Sequence, residues 1–151
     1  MLVSPFRRTA RLLCSALLVG IPAFSWAASD SELRDALAAA REQQWERVDT
    51  RSVESHPLRG YVEYHRLRGQ LPHLSADAIN DYINQYADSP LAGWMRGQAI
   101  AKFGHAGRYN DLLAVADGEP AGTARQCYYY TALLATQPQL ASEAGLEMWL
   151  T

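Results

Sequence analysis

The sequence predicts an all-α fold in which antiparallel helical hairpins stack into a superhelix, or solenoid. One motif typical of a helix start occurs twice, 33 positions apart, as Pro-Leu-Arg-Gly-Tyr at residues 57–61 and Pro-Leu-Ala-Gly-Trp at residues 90–94. A repeat of this length is typical of two-helix units, which cannot bury their apolar faces alone and therefore stack. Apolar residues recur at helical spacing along the chain, whereas no stretch shows sustained period-two alternation.

The first 27 residues have the three parts of a secretory signal peptide. Arg7, Arg8 and Arg11 form the positive end, residues 12–23 the apolar core, and Ser-Trp-Ala at residues 25–27 the cleavage site. The apolar core has twelve residues, which is too few to span a bilayer, since spanning takes about 20 residues. We therefore expect cleavage after residue 27 and export to the periplasm as a soluble protein.

The charge balance argues against nucleic acid and anionic membranes as partners. The chain has 14 basic and 16 acidic residues, and the three arginines of residues 1–27 come with no acid, so residues 28–151 carry a net charge of −5. Cys14 leaves with the signal peptide. Cys127 is then the one remaining cysteine in an oxidising compartment, which suggests that it lacks a partner.

The first predicted helix opens at residues 29–32, where Ser-Asp-Ser-Glu has the form of a capping box. Apolar residues then recur at i, i+3, i+4 and i+7, so one stripe faces a neighbouring element, and Trp45 closes that stripe. The stripe consists of Leu33, Ala36, Leu37 and Ala40. Residues 46–55 are polar apart from two valines, and we expect a connecting loop or a short turn there.

The second and third predicted helices follow the first copy of the repeated phrase. Pro57 fits the first helical position of the second helix, where its missing N–H costs nothing, and residues 69–72 end that helix. Ser75 is the predicted N-cap of the third helix, which stops at residues 88–90. Their apolar faces are Leu58, Tyr61, Val62 and Tyr64 in the second helix and Ile79, Tyr82, Ile83 and Tyr86 in the third.

Four more helices complete the predicted fold. The fourth begins at Pro90, the fifth at Tyr109, the sixth covers residues 121–136, and the seventh begins at Pro138. Their apolar faces are Leu91, Trp94, Met95 and Ala99 in the fourth; Tyr109, Leu112, Leu113 and Ala116 in the fifth; Cys127, Tyr130 and Leu134, with Tyr129 and Leu133 beside them, in the sixth; and Leu140, Ala144 and Met148 in the seventh.

The residues that could carry chemistry do not form a recognisable constellation. No two of the four histidines are spaced i, i+4, and a zinc site needs three or four convergent ligands. Three carboxylate pairs at helical spacing lie among other charges, whereas a general acid needs an apolar pocket that raises its pKa. We predict no catalytic residue, no metal site and no cofactor. The histidines are His56, His65, His73 and His105, and the carboxylate pairs are Glu42/Glu46, Asp77/Asp81 and Glu143/Glu147.

The aromatic residues could stack on sugar rings if they lined a groove. Most of them lie at core-facing helical positions, so we expect them to pack in the interior instead. They are Trp45, Tyr61, Tyr64, Tyr82, Tyr86, Trp94, Tyr128 to Tyr130 and Trp149.

Four phrases carry a resemblance to a known family. They are His-Pro-Leu-Arg-Gly-Tyr-Val-Glu-Tyr at residues 56–64, Tyr-Ala-Asp-Ser-Pro-Leu-Ala-Gly-Trp-Met-Arg at 86–96, Gln-Cys-Tyr-Tyr-Tyr at 126–130 and Leu-Glu-Met-Trp-Leu-Thr at 146–151. In this order and spacing they cover nearly all of the chain after the signal peptide. From Leu37 onward the chain resembles the amino-terminal superhelical, U-shaped domain of the soluble lytic murein transglycosylases.

The resemblance implies a periplasmic role in peptidoglycan turnover. The family cleaves the β-1,4 bond between N-acetylmuramic acid and N-acetylglucosamine and closes a 1,6-anhydro ring on the muramic acid. Its single catalytic glutamic acid lies in a separate lysozyme-like domain, in a glutamate-serine motif followed later by Gly-Leu-Met-Gln. This sequence contains neither motif, since Glu54-Ser55 matches only the dipeptide, in a polar segment. No catalytic residue is therefore carried over.

The resemblance also implies a disulfide. Similar sequences place a second cysteine shortly after the Trp-Leu-Thr of residues 149–151, and it is expected to pair with Cys127. We therefore expect residues 28–151 to be the amino-terminal part of a U-shaped domain, in a truncated chain that lacks the catalytic domain. Its partners would be the missing helices, that catalytic domain and the glycan strands of peptidoglycan.

A second interpretation belongs to a different functional class. The chain could be a free-standing periplasmic module of tetratricopeptide type, which grips a peptide or protein in its concave face. Such a module needs a last helix with a hydrophilic outer face. The predicted helix 138–150 instead finishes in Met-Trp-Leu, which favours the scaffold of a transglycosylase.

Overall fold

The structure, a computed structural model, describes residues 30–143. The predicted signal peptide (1–27), Ser29 of the capping box, and residues 144–151 with the last phrase of the resemblance lie outside this range. Within it the helices are α1 (Asp30–Arg41), α2 (Thr50–Val53), α3 (Arg59–Gln70), α4 (Ala76–Gln85), α5 (Pro90–His105), α6 (Tyr109–Val115) and α7 (Thr123–Thr136).

Short 3-10 turns at Trp45–Arg47 and Leu71–His73 interrupt the connections, and residues 138–143 are again helical. No strand occurs between residues 30 and 143, and the all-α prediction is confirmed. The longest of these helices, α5, has 16 residues, and none in the described range is both long and apolar enough to cross a bilayer.

The helices form two layers. In the first layer α1 contacts α3, α3 contacts α5 and α5 contacts α7, while in the second layer α4 contacts α6. Contacts of α4 with α5, of α5 with α6 and of α6 with α7 join the layers. Because α4, α5, α6 and α7 are joined by short connections and each packs on the next, the arrangement is that of stacked helix pairs, as the repeat predicts.

Two apolar clusters hold the layers together. The main cluster fills the space between α3, α4, α5, α6 and α7, and a smaller one lies between α1, α2 and α3. The largest fully buried side chains all belong to the main cluster and are Phe103, Leu71, Ile79, Met95, Ile100 and Leu112. The smaller cluster consists of Leu33, Ala36, Ala40, Val53 and Val62, with Leu37, Trp45 and Val48 packed against it.

The predicted N-cap of the third helix is confirmed, whereas the predicted sixth helix begins at Thr123 and not at residue 121. Ser75 caps α4, because its side chain accepts a hydrogen bond from the Ala78 N–H at 3.2 Å. The segment predicted as a loop or short turn contains α2, which is one turn long. Asp49 caps it by accepting hydrogen bonds from the Arg51 and Ser52 N–H groups at 3.0 and 3.3 Å.

The two copies of the repeated phrase open their helices in unequal ways. Pro90 is the first residue of α5, as predicted, whereas α3 begins at Arg59, two residues after Pro57. The prediction for Pro57 is therefore wrong by two residues. The cause is a tight turn, in which the Arg59 N–H donates to the His56 carbonyl oxygen at 3.0 Å. The regular α-helix therefore begins only after this turn.

The residue before each proline nevertheless accepts a hydrogen bond from the N–H two positions later. His56 Nδ1 accepts a hydrogen bond from the Leu58 N–H at 3.0 Å, and Ser89 Oγ accepts one from the Leu91 N–H at 3.3 Å. Ser89 is the N-cap of α5 and satisfies one of its free amides, whereas the bond to His56 lies in the turn before α3, whose N-cap Leu58 makes no side-chain capping bond.

Some large apolar side chains on predicted helix faces are exposed. Trp94, predicted to point inward, is 51% exposed, because α5 buries Leu91, Met95 and Ala99 and leaves this ring at the edge of the buried face. In α7 the buried residues are Ala132 and Leu133, so the predicted stripe of Cys127, Tyr130 and Leu134 turns away from the core. Among residues 30–143, the exposed large apolar residues are Leu58, Trp94, Leu134 and Leu140.

Arg108 ties the start of α6 to the turn before α4. Its guanidinium donates hydrogen bonds to the Pro72 carbonyl oxygen at 3.0 Å and to the Leu74 carbonyl oxygen at 2.8 Å. It also binds the Asp111 carboxylate at 2.7 Å, and its Cζ lies 4.3 Å from the centre of the Phe103 ring. One side chain therefore satisfies backbone groups that no helix partner reaches.

We expect Arg108→Ala to lower the free energy of unfolding by about 2 kcal/mol, because two carbonyl oxygens lose a charged donor. Arg108→Lys should recover only part of this loss, since an ammonium lacks the planar fork that reaches several acceptors. Urea unfolding followed by circular dichroism measures both variants. A variant Arg108→Ala with an unchanged midpoint would contradict this role.

Candidate functional site

An open cleft lies between the connection from α1 to α2 and the side of α3, and the end of α4 borders it. Its volume is about 430 Å³, within the range of small-molecule binding sites. Residues from four elements line it, among them Trp45 of the first 3-10 turn, Val53 of α2, Val62 of α3 and Gln85 of α4. We call it the Trp45 cleft.

The end of α1 positions Trp45. The Gln44 N–H donates to the Ala39 carbonyl oxygen at 2.9 Å and the Gln43 N–H to the Ala40 carbonyl oxygen at 3.2 Å. Gln43 has a φ of 60°, so this pattern is a Schellman motif with a left-handed residue after the helix. The chain reverses there, and Trp45 follows directly on the wall of the cleft.

The floor of the cleft is apolar. Val53 and Val62 are buried members of the smaller cluster, and Trp45 and Val48 pack against that cluster while they remain partly accessible. The floor thus rests on packed helices and not on a mobile loop. An apolar ligand group placed here would be removed from water on one side by the indole and valine side chains.

The polar part of the cleft lining is held in place by hydrogen bonds. The Tyr86 hydroxyl donates to Glu63 Oε2 at 3.0 Å, Gln85 Nε2 donates to the Tyr86 hydroxyl at 3.2 Å, and Arg66 Nη2 lies 3.7 Å from Glu63 Oε1. Burial, and next the bond to Glu63, raise the pKa of Tyr86, so the phenol stays protonated and remains the donor. The Glu63 carboxylate is therefore fixed in place while its side chain is still 30% exposed.

The ionised groups of the cleft balance each other. Arg59 Nη1 donates to the Glu54 carbonyl oxygen at 3.1 Å, and the lining residues include two arginines and two glutamates, with a formal sum of zero. These four are Arg59, Arg66, Glu54 and Glu63. Such a site suits a neutral ligand with both hydrogen-bond donors and acceptors. Among the lining residues there is no nucleophile paired with a base.

The histidines are dispersed over the described part of the chain. His56 is buried at the start of α3, and its Nε2 lies 3.3 Å from Asp30 Oδ1 while Nδ1 accepts from the backbone, which fits a neutral ring with the proton on Nε2. The pKa of His65 is lowered by burial and then by the charges of Arg68 and Arg41. His73 and His105 are exposed. Between residues 30 and 143, no three His, Cys, Asp or Glu side chains gather as a metal site requires.

The predicted carboxylate pairs lie on solvent-exposed surface where the structure describes them. Their exposed members are Glu42, Glu46, Asp77, Asp81 and Glu143, while Glu147 lies outside the described residues. Cys127 is an exposed free thiol. Its predicted pairing involves a cysteine beyond residue 151 and stays a prediction.

The aromatic residues divide between core and surface. Tyr64 and Tyr82 are buried, in agreement with the packing prediction. The half-exposed Trp94 ring makes edge contacts with Tyr61 and Tyr64, at centroid distances of 6.2 and 6.1 Å. It lies outside the residues that line the Trp45 cleft.

Sequence reasoning missed the cleft, although one signal was available. Arg59, Glu63 and Arg66 occur at i, i+4 and i+7, so they share a face of α3. Trp45 was assigned only to the end of the first apolar stripe. Nothing in that spacing shows that the Trp45 indole and this charged face line the same cleft.

Comparison with known proteins gives one similarity of low identity. The chain is 26% identical over 100 residues to the soluble lytic murein transglycosylase of Salmonella typhimurium. The matched part is 66% of this chain and 16% of that protein, so the chain spans a small fraction of its relative's length. No family model and no solved structure matches the chain.

Proposed function

We propose that this chain is a piece of the helical scaffold of a periplasmic lytic murein transglycosylase and takes part in peptidoglycan turnover by holding glycan. The observation that carries the proposal is the similarity over 100 residues to a protein that bears this name. The two-layer stack of helix pairs supports it, because such stacks present extended surfaces to long ligands.

In this proposal the chain holds and positions glycan, and the bond is broken by residues that it does not contain. Glycosidic cleavage uses a carboxylic acid whose pKa is raised by an apolar site. The carboxylates of the three helical pairs are exposed where they are described, and Glu63 of the cleft lies between a hydroxyl donor and a guanidinium. A carboxylate placed between these two polar donors does not have the apolar surroundings that such an acid requires.

The test is a binding and turnover experiment with purified peptidoglycan sacculi. We expect the full chain to sediment with sacculi and to be released by soluble glycan fragments, while it liberates no anhydromuropeptides detectable by mass spectrometry. A lytic transglycosylase serves as the positive control for turnover, and an acidic helical protein of similar size as the negative control for binding.

Two results would contradict the proposal. Sedimentation no greater than that of the negative control would remove the link to peptidoglycan. Release of anhydromuropeptides by this chain would overturn the assignment of the chemistry to other residues. Retention of peptides without retention of sacculi would instead favour the periplasmic peptide-binding module.

A further inference from the structure

We propose that the Trp45 cleft binds an N-acetylated amino sugar, and that it is the point at which the chain holds a glycan strand. This inference rests on the proposed function and goes beyond it, because it assigns one site and one ligand class. The starting observation is a cleft of about 430 Å³ that apolar and polar side chains line together.

The apolar half fits the parts of an amino sugar that cannot form hydrogen bonds. A pyranose ring presents a face of C–H groups, and an acetamido group ends in a methyl. The partly accessible indole of Trp45 offers a flat surface for the ring face, while Val53 and Val62 form a floor for the methyl. Val48 extends this surface beside the indole.

The polar half fits the hydroxyl and acetamido groups of the same ligand. Glu63 is held by Tyr86 and Arg66, and a carboxylate has about four acceptor positions, so it can still accept from a sugar hydroxyl. The guanidinium groups of Arg59 and Arg66 can donate to a carbonyl or ring oxygen. Because the Tyr86 hydroxyl already holds Glu63 before a ligand enters, this carboxylate needs little ordering on binding.

The charge pattern selects against other small ligands. An anion beside Arg66 would also lie near Glu63, whose carboxylate is 3.7 Å from that guanidinium, and a cation beside Glu63 would likewise lie near Arg66. The formal charges of the four groups cancel, which favours a neutral ligand with several hydroxyl groups over a phosphate or an amine. A plain glucan would satisfy the polar wall but would leave the valine floor without a methyl group.

The experiment is a calorimetric titration of the full chain with di-N-acetylchitobiose, and with cellobiose as the matched ligand control. Both disaccharides have the same linkage, and only the first carries acetamido groups. We expect saturable binding of di-N-acetylchitobiose at one site and binding of cellobiose that is weaker by about tenfold or more. Equal affinity for the two would overturn the assignment to amino sugars.

Variants then locate the site. Trp45→Ala should weaken binding of di-N-acetylchitobiose by about tenfold or more, while Trp94→Ala, which removes an exposed indole outside the cleft, should leave it unchanged. Gln85→Ala and Arg66→Ala alter the exposed border of the cleft, and circular dichroism checks that they remain folded. Each should weaken binding by a few-fold, which keeps the test valid even if Trp45→Ala is unstable.

The outcomes separate this inference from the proposed function. A chain that sediments with sacculi but does not bind di-N-acetylchitobiose, or binds it equally well after Trp45→Ala and Arg66→Ala, overturns the cleft and leaves the proposed function standing. Loss of binding in Trp94→Ala alone would also overturn it. If binding of di-N-acetylchitobiose depends on Trp45 but the chain does not sediment with sacculi, the result would support the cleft and contradict the proposed function.

Discussion

Phe103→Ala is expected to lower the free energy of unfolding by about 3–5 kcal/mol, the usual cost of removing a fully buried aromatic ring. The ring is completely buried in the main cluster, and it also supports the guanidinium of Arg108 at 4.3 Å. Since domains of this size are stable by about 5–15 kcal/mol, the variant should unfold at a much lower urea concentration.

Phe103→Leu is the matched control. It keeps most of the apolar volume and should cost about 1.5 kcal/mol or less, because changes that nearly conserve volume are tolerated best. If Phe103→Ala and Phe103→Leu lost the same small amount of stability, the main cluster would not be packed around this ring as described.

Gly104→Ala is expected to lower the free energy of unfolding by about 2–3 kcal/mol, in the range of overpacked cores. A methyl group at Gly104 of α5 would overlap Cβ and Cγ of Tyr128 on α7. These atoms are at the root of the tyrosine side chain, so rotation of the ring cannot clear the overlap. The two helices would have to move apart, which would disturb the contact between α5 and α7.

Gly93→Ala, on the same helix, should have the opposite sign. No atom lies within 4 Å of a methyl group added there, and alanine favours a helix over glycine by about 0.5–1 kcal/mol. Thermal unfolding of both variants, with Tyr128→Ala combined with Gly104→Ala as a cycle, measures the contrast. Stabilisation by both alanines would show that α5 and α7 do not approach closely at Gly104.

Local signals predicted the elements of the fold well. The spacing of Ile79, Tyr82 and Ile83 identified the buried face of α4, and Ser75 identified its first residue, because capping and periodicity are properties of adjacent residues. Periodicity also grouped Cys127 and Leu134 on one face of α7. It could not show that Cys127 and Leu134 are exposed within the described residues, since that depends on where the other helices pack.

The two copies of the repeated motif behave differently because their surroundings in the fold differ, and the motif itself does not encode those surroundings. Gly60 and Gly93 occupy the same place in the two copies. A methyl group at Gly60 would come within 2.5 Å of the Tyr86 ring and 3.0 Å of Leu91, whereas the position at Gly93 is open. The packing of Tyr86 and of Leu91 from the second copy against Gly60 makes the first glycine necessary.

The cleft was harder to predict because it depends on a chain reversal. The charged face of α3 is visible in the sequence, but it becomes one wall of a site only after Gln43 adopts a left-handed conformation and brings Trp45 round. Glutamine is not a residue that signals such a turn, since glycine and asparagine are the usual ones. The position of the cleft could therefore not be predicted from residue types and their spacing.

The smaller cluster between α1, α2 and α3 has a consequence for motion. In a stack where each helix depends mainly on its neighbours, an end segment with few apolar contacts can detach at a lower free energy than the whole domain requires to unfold. Trp45 and Val53 belong to the smaller cluster, so the cleft is built on the less extensive of the two apolar clusters. A ligand bound in the cleft should therefore slow amide hydrogen exchange in α1 and α2, while exchange in α5 stays the same.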